Sequence, residues 1–388
     1  MLKRSLPLSI LLLALAGCSS KESDPVSCED HAKVSGVCPG VTEDAVSSDG
    51  VACTTTVAVS PADIGSKTSS AAGTCLSLGA GEYPAVVLAP GVSLLGKGAG
   101  ATSIAGIKAM GADSGATIRG VRVGAGGIAV SGAGSLTIDK VLVSGATGVG
   151  IAATGTSLTV ATATIEKTGG FGLLSVCRNE CAASRKQLSL SRVMVRQAKS
   201  VGVWVHGAVD ATLDGVQISK TGAVSFQFGR GFELAEGALL VAKTFASVDN
   251  ADLGIFVDSG KSISFDGFSA SRNIRGVQIQ GLTGGGQLAN FEVAENFALG
   301  IGIARGTKGL IVQGGLVAST KRLKIPVNIG GMDEVGDGIN WIEGSEVQIA
   351  SSVKIQTSAR SPVIIDNTST GKFEGTLSGG DETTGLIV

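Results

Sequence analysis

Short alternations of apolar and variable residues, each headed by glycine, recur along the chain about 22 residues apart. They read Gly150-Ile-Ala-Ala, Gly172-Leu-Leu-Ser, Gly202-Val-Trp-Val, Gly254-Ile-Phe-Val, Gly276-Val-Gln-Ile and Gly300-Ile-Gly-Ile. Copies at Gly106 and Gly127 precede them, Ser225 (SFQF) fills the gap before Gly254, and Pro326 (PVNI), Pro362 (PVII) and Gly385 (GLIV) follow. Alternation with period two is a strand signal, and it sends Val277 and Ile279 inward and Gln278 outward. Within the same repeat a second strand begins near Gln287 and a third at Phe291, so each coil carries three short strands. A fixed period of this size marks units that bury their apolar faces only by stacking. The pattern predicts an all-β, single-stranded parallel solenoid of about 11–12 coils, a rod ~55 Å long at ~4.8 Å per coil.

Composition agrees with that reading. Glycine supplies 59 of 388 residues while proline is scarce, and the apolar fraction is ordinary, so glycine here serves tight turns. Asn250, Asn273 and Asn296 stand just before the repeated strand at intervals of 23 residues. Asparagine tolerates the left-handed backbone, and its amide can bond the same amide one coil above. The net charge of −1 with scattered signs gives no basic stripe, which argues against nucleic acid as a partner.

From Thr74 the chain reads TCLSLGAGEYPAVVLAPGVSLLGKG. This resembles the opening coil of right-handed parallel β-helices of the pectin-lyase-like superfamily, and the resemblance extends over residues 74–388. The three asparagines are similar to the asparagine-ladder turn of carbohydrate-binding β-helix repeats. The resemblance implies a right-handed helix and a substrate groove along one sheet edge, and it leaves activity open because the superfamily hosts unrelated functions.

The N-terminus carries Lys3 and Arg4, an apolar run from Leu6 to Ala16, and Leu15-Ala16-Gly17-Cys18. The run is too short for a membrane span and reads as a signal peptide over residues 1–17. The last four residues resemble the lipobox of bacterial lipoproteins, which implies lipidation of Cys18. Ser19 in place of aspartate implies outer-membrane sorting, facing the periplasm or the cell surface. Residues 18–27 form a polar tether, and 28–73 a cysteine-bearing N-terminal region with little periodicity. The remaining cysteines are Cys28, Cys38, Cys53, Cys75, Cys177 and Cys181; an even number in an exported chain indicates disulfides. Proximity favours 28–38, 53–75 and 177–181 among the fifteen pairings.

Spacing irregularities locate the candidate site. Extra segments at about Cys177–Lys186, Gly229–Gly237 and Gly330–Ser345 fall after the repeated strand, so they are expected along one edge of one sheet. The outward positions of that sheet present Trp204, His206, Gln227, Phe256, Asp258, Gln278 and Gln280. Planar rings beside amides, a carboxylate and an imidazole suit stacking on sugar rings with hydrogen bonds to hydroxyls. The aromatics equally suit packing under the adjoining loops. Asp333, Glu334 and Asp337 in the third insertion offer carboxylates for calcium, without an EF-hand spacing; no other cofactor is expected.

Enzyme motifs are weak. No N-T-D or adjacent aspartate pair is present, Val205-His206-Gly207 is a partial match to the polygalacturonase-like G-H-G, and Asp258 lacks a carboxylate partner on the expected face. A lyase or C5-epimerase with His206 as base, Asp258 nearby and Arg230, Arg275 or Arg305 as other bases remains open. The expectation is a cell-envelope lipoprotein that contacts the membrane through its lipid and uses a non-catalytic β-helix face to bind envelope polysaccharide or an envelope protein. The alternative is a polysaccharide lyase, epimerase or hydrolase.

Overall fold

The computed structural model of the chain describes residues 50–378, apart from 112–114, 179–180, 182–183, 225–226 and 328–330. Cys18, Cys28, Cys38 and the Gly385 copy lie outside the described residues, as do Ser225 and Asn328. The chain is a right-handed parallel β-solenoid of about 13 turns. One sheet of twelve parallel strands holds the repeated motif. A second sheet, of twenty strands, supplies the other two sides of the coil.

The three-sided section comes from left-handed corners stacked in register. The long strands of the second sheet, such as Ser157–Glu166 and Gly286–Ala294, each bend at one interior residue. That residue is Lys140, Thr162, Arg192, Thr244 or Asn290, all with φ between 51 and 54°, or a glycine, Gly215 or Gly267, at φ 63 and 69°. The predicted second and third strands of a coil are therefore two halves of one strand kinked at Asn290. A further column of left-handed residues, Lys220, Asp249, Arg272 and Glu295, turns the chain toward the twelve-stranded sheet. Stacking lets each unfavourable corner sit above another whose neighbours already fix it.

The leading glycine of the motif has a steric cause. A Cβ on Gly276 would lie 2.6 Å from Val293 Cγ1 and 2.7 Å from both Asn296 Nδ2 and Gly300 O. The asparagines fill that space. Asn273 Oδ1 accepts from the backbone N–H of Asn250 at 2.9 Å and from its Nδ2 at 3.0 Å; Asn296 Oδ1 does the same for Asn273 at 3.0 and 3.2 Å. Nδ2 of Asn273 donates to Ser247 O and that of Asn296 to Ala270 O. All three residues are buried, so each amide satisfies main-chain groups that water cannot reach.

Inward Val, Ile and Leu from every coil form one continuous core. Phe232, Phe245, Phe265, Phe268 and Phe291 pack ring to ring through it at centroid distances of 5.3–6.3 Å. At the N-terminal end Thr55–Val59 already pairs in parallel with Thr74–Leu78, and the Cys53–Cys75 disulfide closes that rung. The second disulfide, Cys177–Cys181, closes a five-residue ring at the end of the strand Leu173–Cys177.

Replacing Asn273 by Ala leaves the buried Asn250 N–H without its acceptor, so unfolding stability is expected to fall by about 1–3 kcal/mol. Urea denaturation followed by circular dichroism measures this. An unchanged midpoint shows that the ladder contributes turn geometry alone.

Candidate functional site

Two of the expected ladder strands are elsewhere. Gln227–Phe228 pairs antiparallel with Ala223–Val224 in a hairpin, and Leu323–Val327 pairs antiparallel with Gly331–Val335. The ladder rungs are instead Gly231-Phe-Glu-Leu and Gly338-Ile-Asn-Trp, each a copy of the glycine-headed motif. The hairpin sequences alternate like ladder strands, and they took the place of the true copies a few residues downstream. Gln227 therefore leaves the outward row, and Glu233 enters it. Asn340 occupies the position expected for Asn328. Trp341, within the expected third insertion, is a buried core residue.

The insertions do not share one edge. Both hairpins precede their ladder strands, whereas the Cys177–Cys181 ring follows one. The ladder sheet is thus flanked on one edge by the ring and on the other by the first hairpin near Trp204 and Glu233, and the second hairpin enters four rungs further on. In register, its outward row runs Leu174, Trp204, Glu233, Phe256, Gln278, Gly302 and Asn340. The neighbouring row runs Val176, His206, Ala235, Asp258, Gln280 and Ala304. Trp204 and Phe256 are two strands apart as expected, and so are His206 and Asp258, with Ala235 between them.

Aromatic rings gather at this point. Phe171 stacks on Trp204 at 5.0 Å, Phe228 meets Phe171 edge-on at 6.4 Å, and Trp204 meets His206 edge-on at 5.3 Å. Phe256 is not an open platform, since it is only 7 % exposed. The Arg230 guanidinium lies 4.3 Å from its centroid and 5.3 Å from that of Phe228. Phe228 and Gly229 are consecutive left-handed residues, at φ 73 and 81°, which swing the chain from hairpin to ladder and bring Arg230 over the sheet. Such a conformation is unfavourable for phenylalanine, and outliers of this kind concentrate at functional sites.

Glu233 lies at the centre, 5 % exposed, and accepts a hydrogen bond from Arg230 Nη1 at 2.6 Å. Burial raises its pKa, Arg230 opposes that, and the negative charge of Asp258 adds to the rise; burial wins and the net shift is upward. Glu233 and Asp258 are diagonal neighbours across adjacent strands. One rung of ~4.8 Å and two residues of ~3.3 Å put their Cα atoms ~8 Å apart. The carboxylate partner missing from the sequence reading of Asp258 is thus Glu233. The Gly231 copy of the motif was the signal that could have found it.

His206 is 4 % exposed, with Arg178 Nε at 3.3 Å and Glu236 Oε2 at 2.5 Å, both from Nε2. A neutral imidazole cannot hold both contacts at once: a proton on Nε2 donates to Glu236, whereas its lone pair accepts from Arg178. Nδ1 is buried without a hydrogen-bond partner. Burial lowers the His206 pKa, Arg178 lowers it further, and Glu236 works against both. Arg178 belongs to the disulfide ring, and Glu236 stands at the left-handed corner after Arg230–Ala235. Arg185 steadies that corner by donating to Gly237 O at 3.1 Å and Val209 O at 2.9 Å.

Other candidates are engaged elsewhere. Arg272 pairs with Asp249 at 2.8 Å, Arg275 with Asp252 at 2.7 Å and Arg360 with Asp337 at 2.7 Å. Arg275, Asp249, Asp252 and Asp337 are therefore rung-to-rung ties. No group of three or more His, Cys, Asp or Glu placed to hold a metal occurs among the described residues.

No known family model and no curated protein matches the chain. Among solved structures it is similar to the mannuronan C-5 epimerase AlgE4 A-module of Azotobacter vinelandii, at 16 % identity and TM-score 0.57, covering 90 % of this chain and 96 % of that one. It is also similar to the catalytic domain of a GH87 α-1,3-glucanase in complex with nigerose, at 13 % identity and TM-score 0.53, over 90 % of this chain and 70 % of that one. At these identities the likeness establishes the β-helix fold.

The two contacts at His206 predict opposite responses. In an NMR titration its pKa falls further in Glu236→Gln and rises in Arg178→Gln. Equal values in all three proteins would refute the arrangement.

Proposed function

We propose that the protein is a polysaccharide-active enzyme whose acid–base pair is Glu233 and Asp258. The observation that carries this reading is the pair itself: two carboxyls on adjacent rungs of the outward face, one of them buried and pushed toward its protonated form. Paired carboxyls in unlike environments divide into an acid and a base. Glu233 in its neutral form protonates the glycosidic oxygen as the bond to carbon breaks, and Asp258, only partly buried, draws the proton from an attacking water. Inverting hydrolysis places its two carboxyls about 6.5–9.5 Å apart, which the rung geometry accommodates. Phe171 and Trp204 supply a half-exposed stacking surface on one side, and Gln278, Gln280 and Asn340 supply amides on the other.

The similarity to an epimerase and a glucanase supports a polysaccharide as the substrate. The non-catalytic binding face is set aside because one ground against catalysis, an Asp258 without a carboxylate partner, does not hold with Glu233 on the adjacent rung. A second reading, proton abstraction by His206, is favoured by burial that biases the imidazole toward its neutral form and by an Nδ1 without a hydrogen-bond partner, and it yields an unsaturated or epimerised product. We also infer that the mature chain is anchored by lipid on Cys18 and held in the bacterial envelope at the outer membrane.

Glu233→Gln and Asp258→Asn are each expected to reduce reducing-end release on a polysaccharide panel by about 100-fold or more. Both variants are expected to retain binding in affinity electrophoresis. Wild-type binding without any cleavage or unsaturated product restores the non-catalytic reading, and loss in His206→Gln alone selects the second. Labelled palmitate is expected to enter the wild-type chain and not Cys18→Ala; equal labelling of both rules out the anchor.

A further inference from the structure

Arg230 carries a fixed charge at the centre of the site, since a guanidinium does not lose its proton in a protein. Its side chain is 22 % exposed and rests on Phe256 and Phe228, which displace water from its faces. Nη1 donates to Glu233, while Nε is buried and makes no hydrogen bond. Its partner is a poor one. Burial and Asp258 both favour the neutral form of Glu233, and a neutral carboxyl leaves the guanidinium without a counter-charge. Trp204 Nε1, on the adjoining strand, is a second buried N–H donor without an acceptor. The face therefore has donors to spare and a cation whose paired carboxylate is held ionised against burial by that one contact.

We propose that Arg230 receives a carboxylate of a polyuronate chain, which displaces Glu233 from the guanidinium while Glu233 takes up one proton from solvent. The proposal rests on the reading of Glu233 as the acid. The exchange breaks the hydrogen bond from Arg230 to Glu233, forms hydrogen bonds from Arg230 to the incoming carboxylate, and changes no bond to carbon. The ligand brings one negative charge and the proton one positive charge, so the charge of the site is conserved. The other charged groups around Glu233 make the proton obligatory. Asp258 stands diagonally across on the next rung, Glu236 is held at His206 together with Arg178, and Asp252 beside Gly229 is taken by Arg275. Three carboxylates would otherwise crowd one guanidinium. The substrate thereby prepares its own acid, because leaving Arg230 removes the interaction that kept Glu233 ionised.

Calorimetric titration of the full protein with oligogalacturonate and with oligomannuronate at pH 6, in two buffers of different ionisation enthalpy, tests this. The expected result for at least one of these acids is uptake of about one proton per ligand by linkage. Uptake is lost in Glu233→Gln, which still binds. Affinity falls ~30-fold or more in Arg230→Gln, the usual effect of deleting one member of a buried charge pair. Circular dichroism confirms that both variants keep the β-solenoid. Binding of the fully methyl-esterified oligomers as tightly as the acids, binding without proton uptake, or no binding of either acid overturns the proposal. Proton-linked binding with no cleavage leaves the exchange standing and rejects acid–base cleavage. Cleavage of a neutral glucan with no uronate binding does the reverse.

Discussion

Parallel strands stacked in register, one rung every ~4.8 Å, govern everything else in this protein. Each side chain meets the residue at the same position of the rungs above and below, so every corner, cap and core contact is decided as a column. Left-handed Lys140, Thr162 and Arg192 are tolerable because they form such a column. Asn250, Asn273 and Asn296 bond each other for the same reason, and the glycine in front of them is required because the amides occupy the space a Cβ needs. The aromatic column from Phe232 to Phe291 extends the rule into the core.

The site arises where that regularity is interrupted. A hairpin enters ahead of Arg230, a disulfide ring leaves after Cys177, and the two reach the same rungs from opposite edges of the sheet. They bring Phe228, Arg230 and Arg178 onto a face whose other rungs carry no arginine in the outward rows. The local charge balance changes as a result. Glu233 is buried beside Arg230, and His206 is held between two oppositely charged partners, one from the disulfide ring and one from the corner after the next rung. On a bare sheet both groups would be solvated and ordinary.

The repeat was legible because period-two alternation and its leading glycine are direct consequences of backbone geometry. Pairing of Cys53 with Cys75 and of Cys177 with Cys181 was legible from proximity. The rung assignment failed twice, at Gln227 and at Pro326, for one reason: an antiparallel hairpin alternates with the same period as a parallel rung. Steric demand separates the two, since only the true rungs, at Gly231 and Gly338, carry the glycine that the corner behind them requires. Phe256 also behaved differently from its pattern, because an outward position is exposed only if nothing crosses it, and Arg230 does.

The sequence by itself determined the solenoid, its period, most of its inward and outward positions and which coils carry extra residues. These are local properties, set by alternation, turn-forming residues and spacing. Tertiary structure alone decided that Glu233 faces Asp258, that Arg230 lies over Phe256, and that Arg178 and Glu236 converge on His206. Each of those contacts joins residues from different rungs or insertions, and a shift of a few residues in one hairpin is enough to exchange Glu233 for Gln227. Residue chemistry could be read along the chain, but the register that brings those residues together is fixed only when the rungs stack.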